Sequence, residues 1–302
     1  MSADVSTVIV SYDTFDLTRE AVRTALDAAP GLTHEVVVVD NDSPDSSADR
    51  LREAFAGDDR VTVVESGGNI GFAAANNVGA GRASGRVLFF LNPDTVTHGD
   101  AVARLVAYLD AHPETGAVGP RVLNADGTDQ PSTARFDTAW SIARHLLALP
   151  AAGPPLDRPA PVDVVKGCAL AVRREAFDAV GGWDDRYFMY AEENELCLAL
   201  ARAGRPSVFV PDAVVTHLGG AASADRYAEQ QVVASRSHVA FLRRHSSPAL
   251  VAFNRAASAA AYGVRAVAFG ALARLRPARA EEYRRRGEAA SAIWRWYAFD
   301  HA

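Results

Sequence analysis

Residues 35–43, Glu-Val-Val-Val-Val-Asp-Asn-Asp-Ser, join an unbroken β-branched run to a cluster of turn-forming polar residues. Four successive valines predict a strand that is buried on both faces, because a strand with one solvated face would alternate apolar and polar residues. Helices packed on both sides of a parallel sheet provide that burial. The stretch therefore predicts a layered α/β fold, with polar groups at the carboxyl end of the strand.

The same alternation of short strands and helical segments continues through the first 120 residues. The predicted strands are Thr7–Ser11, Glu35–Asp40, Val61–Glu65, Val87–Leu91 and Ala117–Pro120, and the predicted helices are Leu17–Ala28, Ser46–Ala56, Phe72–Ala83 and Asp100–His112. Later segments predict a strand over Val164–Val172, a helix from Glu192 to Ala203, and short strands at Ser207–Val210 and Val214–Thr216. We expect an α/β fold with a Rossmann-like, mostly parallel central sheet, flanking helices and a C-terminal helical extension.

The composition is that of a folded globular protein. Of the 302 residues, 49% are hydrophobic and 23% are charged, which excludes a disordered or collagen-like chain. The two cysteines, Cys168 and Cys197, are too few for a disulfide framework and favour a reducing compartment. No signal peptide is visible, and the most apolar stretch, Leu250–Leu275, is interrupted by Asn254 and three arginines. These features predict a cytoplasmic protein without a membrane-spanning segment.

Charge is distributed unevenly along the chain, although the net charge is only −6. Residues 226–302 contain 13 arginines and 5 acidic residues, so residues 1–225 carry a balance of −14. We divide the chain into a body at 1–225, with halves at about 1–120 and 121–225, and a helical C-terminal region at 226–302. The arginines of that region alternate with Trp294, Trp296 and Tyr297, so its helices either rest on an anionic membrane, pair with a second copy or cap the body. The acidic body argues against a nucleic-acid partner.

Polar residues follow four of the predicted strands. The four segments are Ser11-Tyr12-Asp13, Asp40-Asn41-Asp42-Ser43, Gly67-Gly68-Asn69-Ile70-Gly71-Phe72 and Asn92-Pro93-Asp94. Each alone could be a simple turn, because Asp, Asn, Gly and Ser are good turn formers. Together they favour a binding rim, because ligands of open α/β sheets bind beyond the carboxyl ends of the strands. Asp94 could hold a divalent cation that bridges nucleotide phosphates, and Asp40 could accept hydrogen bonds from a ribose or a base.

Two further positions carry candidate chemistry. Glu192 and Glu193 open a predicted helix on the side that faces the core. First-turn acids complement the helix dipole, but acids that point inward also suit a ligand or a general base. His217 follows a β-branched strand and is either a hydrogen-bonded core residue or a second ligand to the cation near Asp94.

Other nucleotide-binding patterns are excluded. The chain has no glycine-rich loop that ends in Lys-Ser or Lys-Thr, and its only lysine, Lys166, lies elsewhere. Gly79, Gly81 and Gly85 look like a dinucleotide fingerprint, but they follow a helix and precede a strand, which is the reverse of the required context. A nucleotidyltransferase is disfavoured because residues 11–18 contain no basic phosphate-binding loop.

The ordered set of motifs resembles the family 2 inverting glycosyltransferases, in particular their rhamnosyltransferase-like bacterial branch. The matching stretches are Val8-Ile9-Val10-Ser11-Tyr12, Val38-Val39-Asp40-Asn41-Asp42-Ser43, Asn69-Ile70-Gly71-Phe72 with Asn76-Asn77, Leu91-Asn92-Pro93-Asp94, Gly181-Gly182-Trp183-Asp184, Glu192-Glu193 and His217. The resemblance implies a GT-A-type fold, a divalent metal (Mg²⁺ or Mn²⁺) and a nucleotide-diphosphate sugar donor, with dTDP-rhamnose as the expected one. The acceptor would be a hydroxyl of a saccharide, a lipid-linked molecule or a small natural product.

The resemblance also implies roles for individual residues. Asp94 and His217 would bind the metal, and Glu193 would be the catalytic base. The residues expected to bind the nucleotide sugar are Ser11, Tyr12, Asp40, Asp42, Asn69, Gly71, Phe72, Asn77 and Asn92, and those expected near the acceptor are Trp183, Asp184 and Glu192. The loops at Gln130–Arg135 and Pro150–Pro161 are expected to shape the pocket.

Three positions depart from the family pattern. Asn92 stands where many relatives have Asp, Glu193 replaces Asp, and Ala191 replaces an aromatic residue. These departures leave open a non-catalytic member that binds a nucleotide sugar or a partner. The metal and nucleotide positions match, which favours an enzyme, acting in the cytoplasm or at the inner face of the membrane.

Overall fold

The computed structural model describes residues 3–147, 149, 154, 157–219 and 227–300. The strands are β1 Val5–Ser11, β2 His34–Asp40, β3 Val61–Glu65, β4 Val87–Leu91, β5 Thr95–Thr97, β6 Ala117–Leu123, β7 Asp129–Gln130, β8 Thr133–Ala134, β9 Ala160–Val162, β10 Val164–Val165, β11 Ala169–Arg173 and β12 Ser207–His217. The helices are α1 Phe15–Asp27, α2 Ser47–Ala54, α3 Phe72–Arg82, α4 Ala101–Ala111, α5 Ala139–Leu146, α6 Arg174–Ala179, α7 Glu192–Arg202, α8 Tyr227–His245, α9 Pro248–Leu275 and α10 Ala280–Phe299. Half of the predicted loop Pro150–Pro161, residues 150–153, 155 and 156, lies outside the described residues.

The main sheet has the strand order β3-β2-β1-β4-β11-β6-β12-β5. β3, β2, β1 and β4 are mutually parallel, whereas β11 is antiparallel to both β4 and β6. β12 then runs parallel to β6 and antiparallel to β5. The expected parallel sheet is therefore confirmed for the first four strands, and the second half of the sheet is mixed.

The valine run is buried on both faces, as its pattern predicts. Val36 and Val38 belong to the core cluster that includes residues of α1 and α4. Val37 and Val39 point to the opposite face and pack with Ala75 of α3. Helix α3 lies so close to the sheet that a Cβ on Gly79 would stand 2.4 Å from a Val8 methyl group. Burial on both faces thus follows from helices on both sides of the sheet.

Two strand predictions were wrong in detail. The single strand predicted over Val164–Val172 is divided into β10 and β11, because β10 leaves the main sheet to pair with β8. The two strands predicted at Ser207–Val210 and Val214–Thr216 form one strand, β12, with a register shift between Val210 and Val214. Pro211 lies in that shift, and a proline cannot donate a ladder hydrogen bond, which accounts for the irregularity.

The chain forms two units. The first contains the sheet and comprises residues 1–136, 153–188 and 192–222, and the second comprises 137–152, 189–191 and 223–302. The second unit is helical, and its core includes Val239, Ile293, Trp296 and Tyr297. Among the described residues, α9 is the one helix long and apolar enough to cross a membrane by length and composition, which alone is weak evidence. The sequence predicted no spanning segment, because polar residues interrupt this stretch.

Candidate active site

The parallel strands β1, β2, β3 and β4 end at the same edge of the sheet, and Asn41 ties two of the following loops together. Its Nδ2 donates to Asn69 Oδ1 at 3.0 Å, and its Oδ1 accepts from the Ile70 backbone N–H at 3.1 Å. Asn41 is buried, so its amide uses both ends to hold the loops after β2 and β3. Asn41 stands in one of the sequence motifs, but the sequence predicted no role for it, because its contacts form only in the folded chain.

Asp40 presents a carboxylate oxygen that has no partner. The residue is 3% exposed, and its Oδ1 accepts a hydrogen bond from the Ser43 backbone N–H at 2.9 Å. Its Oδ2 is buried without a hydrogen bond among the described residues. Such a group is costly unless a ligand or water satisfies it, so Asp40 is well suited to accept a hydrogen bond from a bound nucleoside. The neighbouring Asp42 is exposed with φ of 72°, and Tyr12 is half-buried.

Two predicted donor-binding side chains serve the fold instead. The Ser11 hydroxyl is fully buried and lies 2.9 Å from the Thr18 hydroxyl and 3.2 Å from that of Thr14. Asn77 accepts from the Trp183 backbone N–H at 3.0 Å and donates to the Trp183 carbonyl at 2.8 Å. Both amide ends are thus used within the protein. The structure does not place either side chain at the ligand rim.

Gly71 and Phe72 fix the start of α3 beside a second loop. Gly71 has φ of +86°, and a Cβ there would stand 2.6 Å from the Phe188 carbonyl oxygen. The Phe72 backbone N–H donates to that same oxygen at 2.7 Å. Only glycine combines this backbone conformation with so close an approach. These two residues therefore position the loop, and Asn69 lies just before them.

Asp94 and His217 form an acid–histidine pair at the end of β4. Antiparallel pairing of β5 with β12 sets His217 opposite Thr95, next to Asp94. The His217 Nε2 lies 3.2 Å from Asp94 Oδ1, and the Asn92 side-chain amide is 3.4 Å from the same Nε2. The Leu218 backbone N–H donates to the Asp94 carbonyl at 2.9 Å, which fixes the two segments together. The structure thus brings together three residues that are far apart in sequence.

A chain of amides sets the tautomer of His217. Asn124 Nδ2 donates to Thr128 Oγ1 at 2.9 Å, so its Oδ1 accepts from Gln130 Nε2 at 2.9 Å. Gln130 Oε1 then faces His217 Nδ1 at 2.8 Å and must accept, which requires that Nδ1 carries the proton. In the neutral ring, Nε2 therefore turns a lone pair toward the Asp94 carboxylate. We name Asn124, Gln130 and His217 the amide relay.

The pair fits a divalent cation. A carboxylate oxygen and an imidazole lone pair that face each other at 3.2 Å repel unless a proton or a metal lies between them. Both are accepted ligands of Mn²⁺-type ions, and a carbonyl oxygen on the second imidazole N–H is the usual support for such a ligand. The described residues contain no group of three or more His, Cys, Asp or Glu side chains that could hold a metal. Phosphate oxygens and water would therefore complete the coordination.

Glu193 lies close to the same edge of the sheet. Its carboxylate is 12% exposed and stands 3.6 Å from the Lys166 ammonium. A Cβ on Gly167 would be 3.7 Å from the Glu193 Cβ, so the missing side chain leaves room for the acid. The Asn92 backbone N–H donates to the Cys168 carbonyl at 2.9 Å, which links this turn to the Asn92-Pro93-Asp94 segment. Burial and the negative charges of Asp94 and Glu193 raise the pKa of the Cys168 thiol to about 12. Both carboxylates therefore lie close enough to this thiol to affect it.

Glu192 differs from its neighbour Glu193 in its burial. It is 5% exposed, and its Oε2 has no hydrogen-bond partner among the described residues. Burial raises the pKa of Glu192 well above its usual range, and the negative charge of Glu193 raises it further. The charged form of the Glu192 carboxyl is therefore disfavoured at this position.

Trp183 and Asp184, which were both expected near an acceptor, lie in different environments. Trp183 is 2% exposed, and its indole packs edge-on against Phe90 with 4.9 Å between ring centroids. Trp183 is therefore a core residue in this structure, whereas the sequence predicted that it lies near the acceptor. Asp184 lies on the following turn and accepts from Arg186 Nε at 2.7 Å. The motif pattern could not distinguish these neighbours, because the two glycines before them permit either orientation of the turn.

The mannosyltransferase PcManGT from Pyrobaculum calidifontis, solved in complex with GDP-Man and Mn²⁺, shares this fold. The TM-score is 0.62 at 18% sequence identity, over 100% of this chain and 89% of that chain. The fold is of the GT-A type, as the motifs predicted. At 18% sequence identity, this likeness shows only the fold. The class of protein is therefore inferred from the sequence comparisons.

Residues 6–181 match the model of glycosyl transferase family 2. The chain belongs to this family. It is 30% identical over 206 residues to the N-acetylglucosaminyl-diphospho-decaprenol L-rhamnosyltransferase of Mycobacterium tuberculosis, covering 60% of this chain and 66% of that protein. It is 27% identical over 194 residues to the rhamnosyltransferase WbbL of Escherichia coli, covering 59% of this chain and 70% of that protein. The matched region thus spans about two thirds of the length of these two relatives.

Proposed function

We propose that this family 2 glycosyltransferase is a metal-dependent, inverting enzyme. It would move a sugar from a nucleotide-diphosphate donor to an acceptor hydroxyl. The observation that carries the proposal is the placement of the Glu193 carboxylate, 3.6 Å from the Lys166 ammonium, near the sheet edge that holds the Asp94–His217 pair. A single displacement at an anomeric carbon needs a base for the attacking hydroxyl and a group that stabilises the charge on the leaving diphosphate.

In this proposal, different side chains carry out proton transfer and donor binding. Glu193 takes the proton of the acceptor hydroxyl as that oxygen attacks the anomeric carbon. The unpartnered Asp40 oxygen and the loop at Asn69 hold the nucleoside. When bound, a Mg²⁺ or Mn²⁺ ion at Asp94 and His217 would offset the charge on the departing diphosphate. A second carboxylate is not needed, because no covalent intermediate forms.

We propose L-rhamnose from dTDP-rhamnose as the transferred sugar and a lipid-linked saccharide as the acceptor. The names of the relatives support this choice, since two are rhamnosyltransferases and one acts on a decaprenol-linked substrate. An acceptor with a polyprenyl chain would be presented at a membrane. We therefore place the enzyme in the cytoplasm, at the inner face of that membrane.

The proposal is tested by donor hydrolysis. Purified protein is incubated with dTDP-rhamnose, UDP-N-acetylglucosamine, UDP-glucose and GDP-mannose, each with Mn²⁺, Mg²⁺ or EDTA, and the released nucleotide is quantified. We expect metal-dependent release from dTDP-rhamnose above the other donors. Release from another donor would correct the sugar. If neither release nor metal-dependent nucleotide binding occurs with any donor, the protein is a non-catalytic member of the family.

Gln130→Leu is expected to weaken Mn²⁺ binding by about tenfold to a hundredfold, the range typical of lost support behind a metal ligand. Without the Gln130 acceptor, the neutral imidazole can carry its proton on Nε2 and donate it to Asp94, in competition with the metal. Binding is measured by the Mn²⁺ electron paramagnetic resonance signal, which reports free ion without turnover. Gln130→Glu keeps an acceptor at Nδ1 and is expected to restore affinity. Equal loss in both variants would show that the relay only supports the local structure.

A further inference from the structure

Helix α9 turns its apolar residues outward and its polar residues inward. From Ala252 onward its exposed positions are Ala252, Phe253, Ala256, Ala260, Val264, Val267, Ala268, Gly270, Ala271, Arg274 and Leu275. Most recur at intervals of three or four, so they share one side of the helix. We call Ala252–Ala271 on this side the apolar face. A surface helix of a soluble protein has the opposite arrangement.

The polar residues of α9 are engaged within the helical unit. Asn254 and Ser258 are buried. Arg255 Nη2 donates to the Asp300 carbonyl at 2.5 Å, and Arg265 Nη2 donates to the Leu146 carbonyl at 2.7 Å. Both guanidinium groups thus satisfy backbone oxygens of neighbouring elements. No charge is left on the apolar face over a length of about 30 Å, at 1.5 Å per residue.

Helix α5 and the residue that follows it add further exposed apolar side chains to the helical unit. Helix α5 packs against α9 in the same unit, and the residue after its end, Leu147, is 67% exposed. Trp140 on α5 is 68% exposed, and Val264 and Val267 on α9 are 70% and 76% exposed. Large apolar side chains are therefore gathered on exposed surface around α9. Large apolar side chains exposed in this number are typical of an interaction surface.

We propose that the apolar face of α9 rests on an anionic lipid bilayer, with the helix lying along the membrane surface. Arg274, Arg276 and Arg279 are exposed at the carboxyl end of this helix, and residues 226–302 hold 13 arginines against 5 acidic residues. Anionic headgroups complement that charge, whereas a second copy of the chain would bring the same positive charge against it.

The inward side of α9 explains why the helix lies on the membrane and does not cross it. Gly263 lies so close to Trp294 of α10 that a Cβ there would be 3.2 Å from the indole. A Cβ on Gly287 of α10 would likewise be 3.4 Å from Phe269. Insertion across the bilayer would strip α9 from α10 and expose the carbonyl contacts of Arg255 and Arg265. The inference stands on these contacts and does not depend on the proposed sugar transfer.

The test is flotation of the full chain with lipid vesicles. We expect binding to vesicles with 30% phosphatidylglycerol and little binding to pure phosphatidylcholine, with a decrease from 0.1 to 0.5 M NaCl. Val264→Glu with Val267→Glu is expected to lower the bound fraction at least about tenfold, because two charges enter the apolar face. The matched control, Ala54→Glu with Ala107→Glu, adds the same charge at exposed positions in the other unit and is expected to bind nearly as wild type.

Two outcomes would overturn the inference. Equal vesicle binding by both double variants would mean that the apolar face does not contact lipid. A dimer in light scattering that Val264→Glu with Val267→Glu dissociates, without vesicle binding by wild type, would make a second copy the occupant. Donor hydrolysis in the absence of vesicles is expected to be unchanged in both double variants. This readout separates a failure of the membrane inference from a failure of the proposed function and confirms that the variants fold.

Discussion

Glu193→Gln is expected to reduce sugar transfer by about a thousandfold, within the range that loss of a general base produces. The amide has nearly the same shape as the carboxylate but cannot take the proton of the acceptor hydroxyl. Its contact with Lys166, now 3.6 Å from Glu193 Oε1, would change from an ion pair to a contact between the ammonium and an uncharged amide. Donor affinity, measured by calorimetry with the nucleoside diphosphate and Mn²⁺, is expected to stay within about threefold of wild type.

Glu192→Gln provides the matched comparison, because the two acids are adjacent and the substitution is identical. Burial and the charge of Glu193 raise the pKa of Glu192 well above its usual range, so the charged form that an amide would remove is disfavoured there. We expect its transfer rate to fall by less than about tenfold, since no proton acceptor is lost. If Glu192→Gln abolishes transfer and Glu193→Gln does not, the roles of the two acids are reversed. If neither variant loses transfer, the base lies elsewhere.

The sequence predicted the first half of the sheet well because local pattern and tertiary role agree there. Val36–Val39 is buried on both faces, and the polar residues after each parallel strand meet at one edge because the strands run in the same direction. The pairing of Asp94 with His217 was also expected, although it depends on β5, a strand too short to show a pattern.

The remaining features depend on contacts between distant residues. Trp183 was expected at the acceptor, but it fills a core between Phe72 and Phe90, and Asn77 holds its backbone from 106 residues away. Local sequence does not distinguish an aromatic side chain in the core from one at a binding site. The orientation of the Gln130 amide similarly depends on which hydrogen bonds Asn124 makes after folding.

Asp94→Asn is expected to remove the metal dependence of nucleotide binding and to lower transfer more than about a hundredfold. The amide keeps the size of the side chain but loses the negative charge that attracts a cation. Its N–H can donate to Nε2 of a neutral His217 ring, which lies 3.2 Å from the present Asp94 Oδ1. Such a hydrogen bond is worth about 1 kcal/mol. The metal-free variant is therefore expected to unfold at the same temperature as wild type or higher, while Mn²⁺ no longer raises its Tm.

Asp59→Asn is the control for this substitution, because Asp59 is exposed just before β3, at the amino end of that strand and away from the site. Nucleoside diphosphate affinity is measured by calorimetry with Mn²⁺ and with EDTA for each protein. We expect Mn²⁺ to tighten binding at least tenfold in wild type and in Asp59→Asn but not in Asp94→Asn. Retention of the Mn²⁺ effect in Asp94→Asn would show that the cation binds elsewhere. Asp94→Asn is expected to keep a hydrogen bond to His217. If this variant loses the Mn²⁺ effect without a lower Tm, the loss results from the missing carboxylate and not from general disruption of the fold.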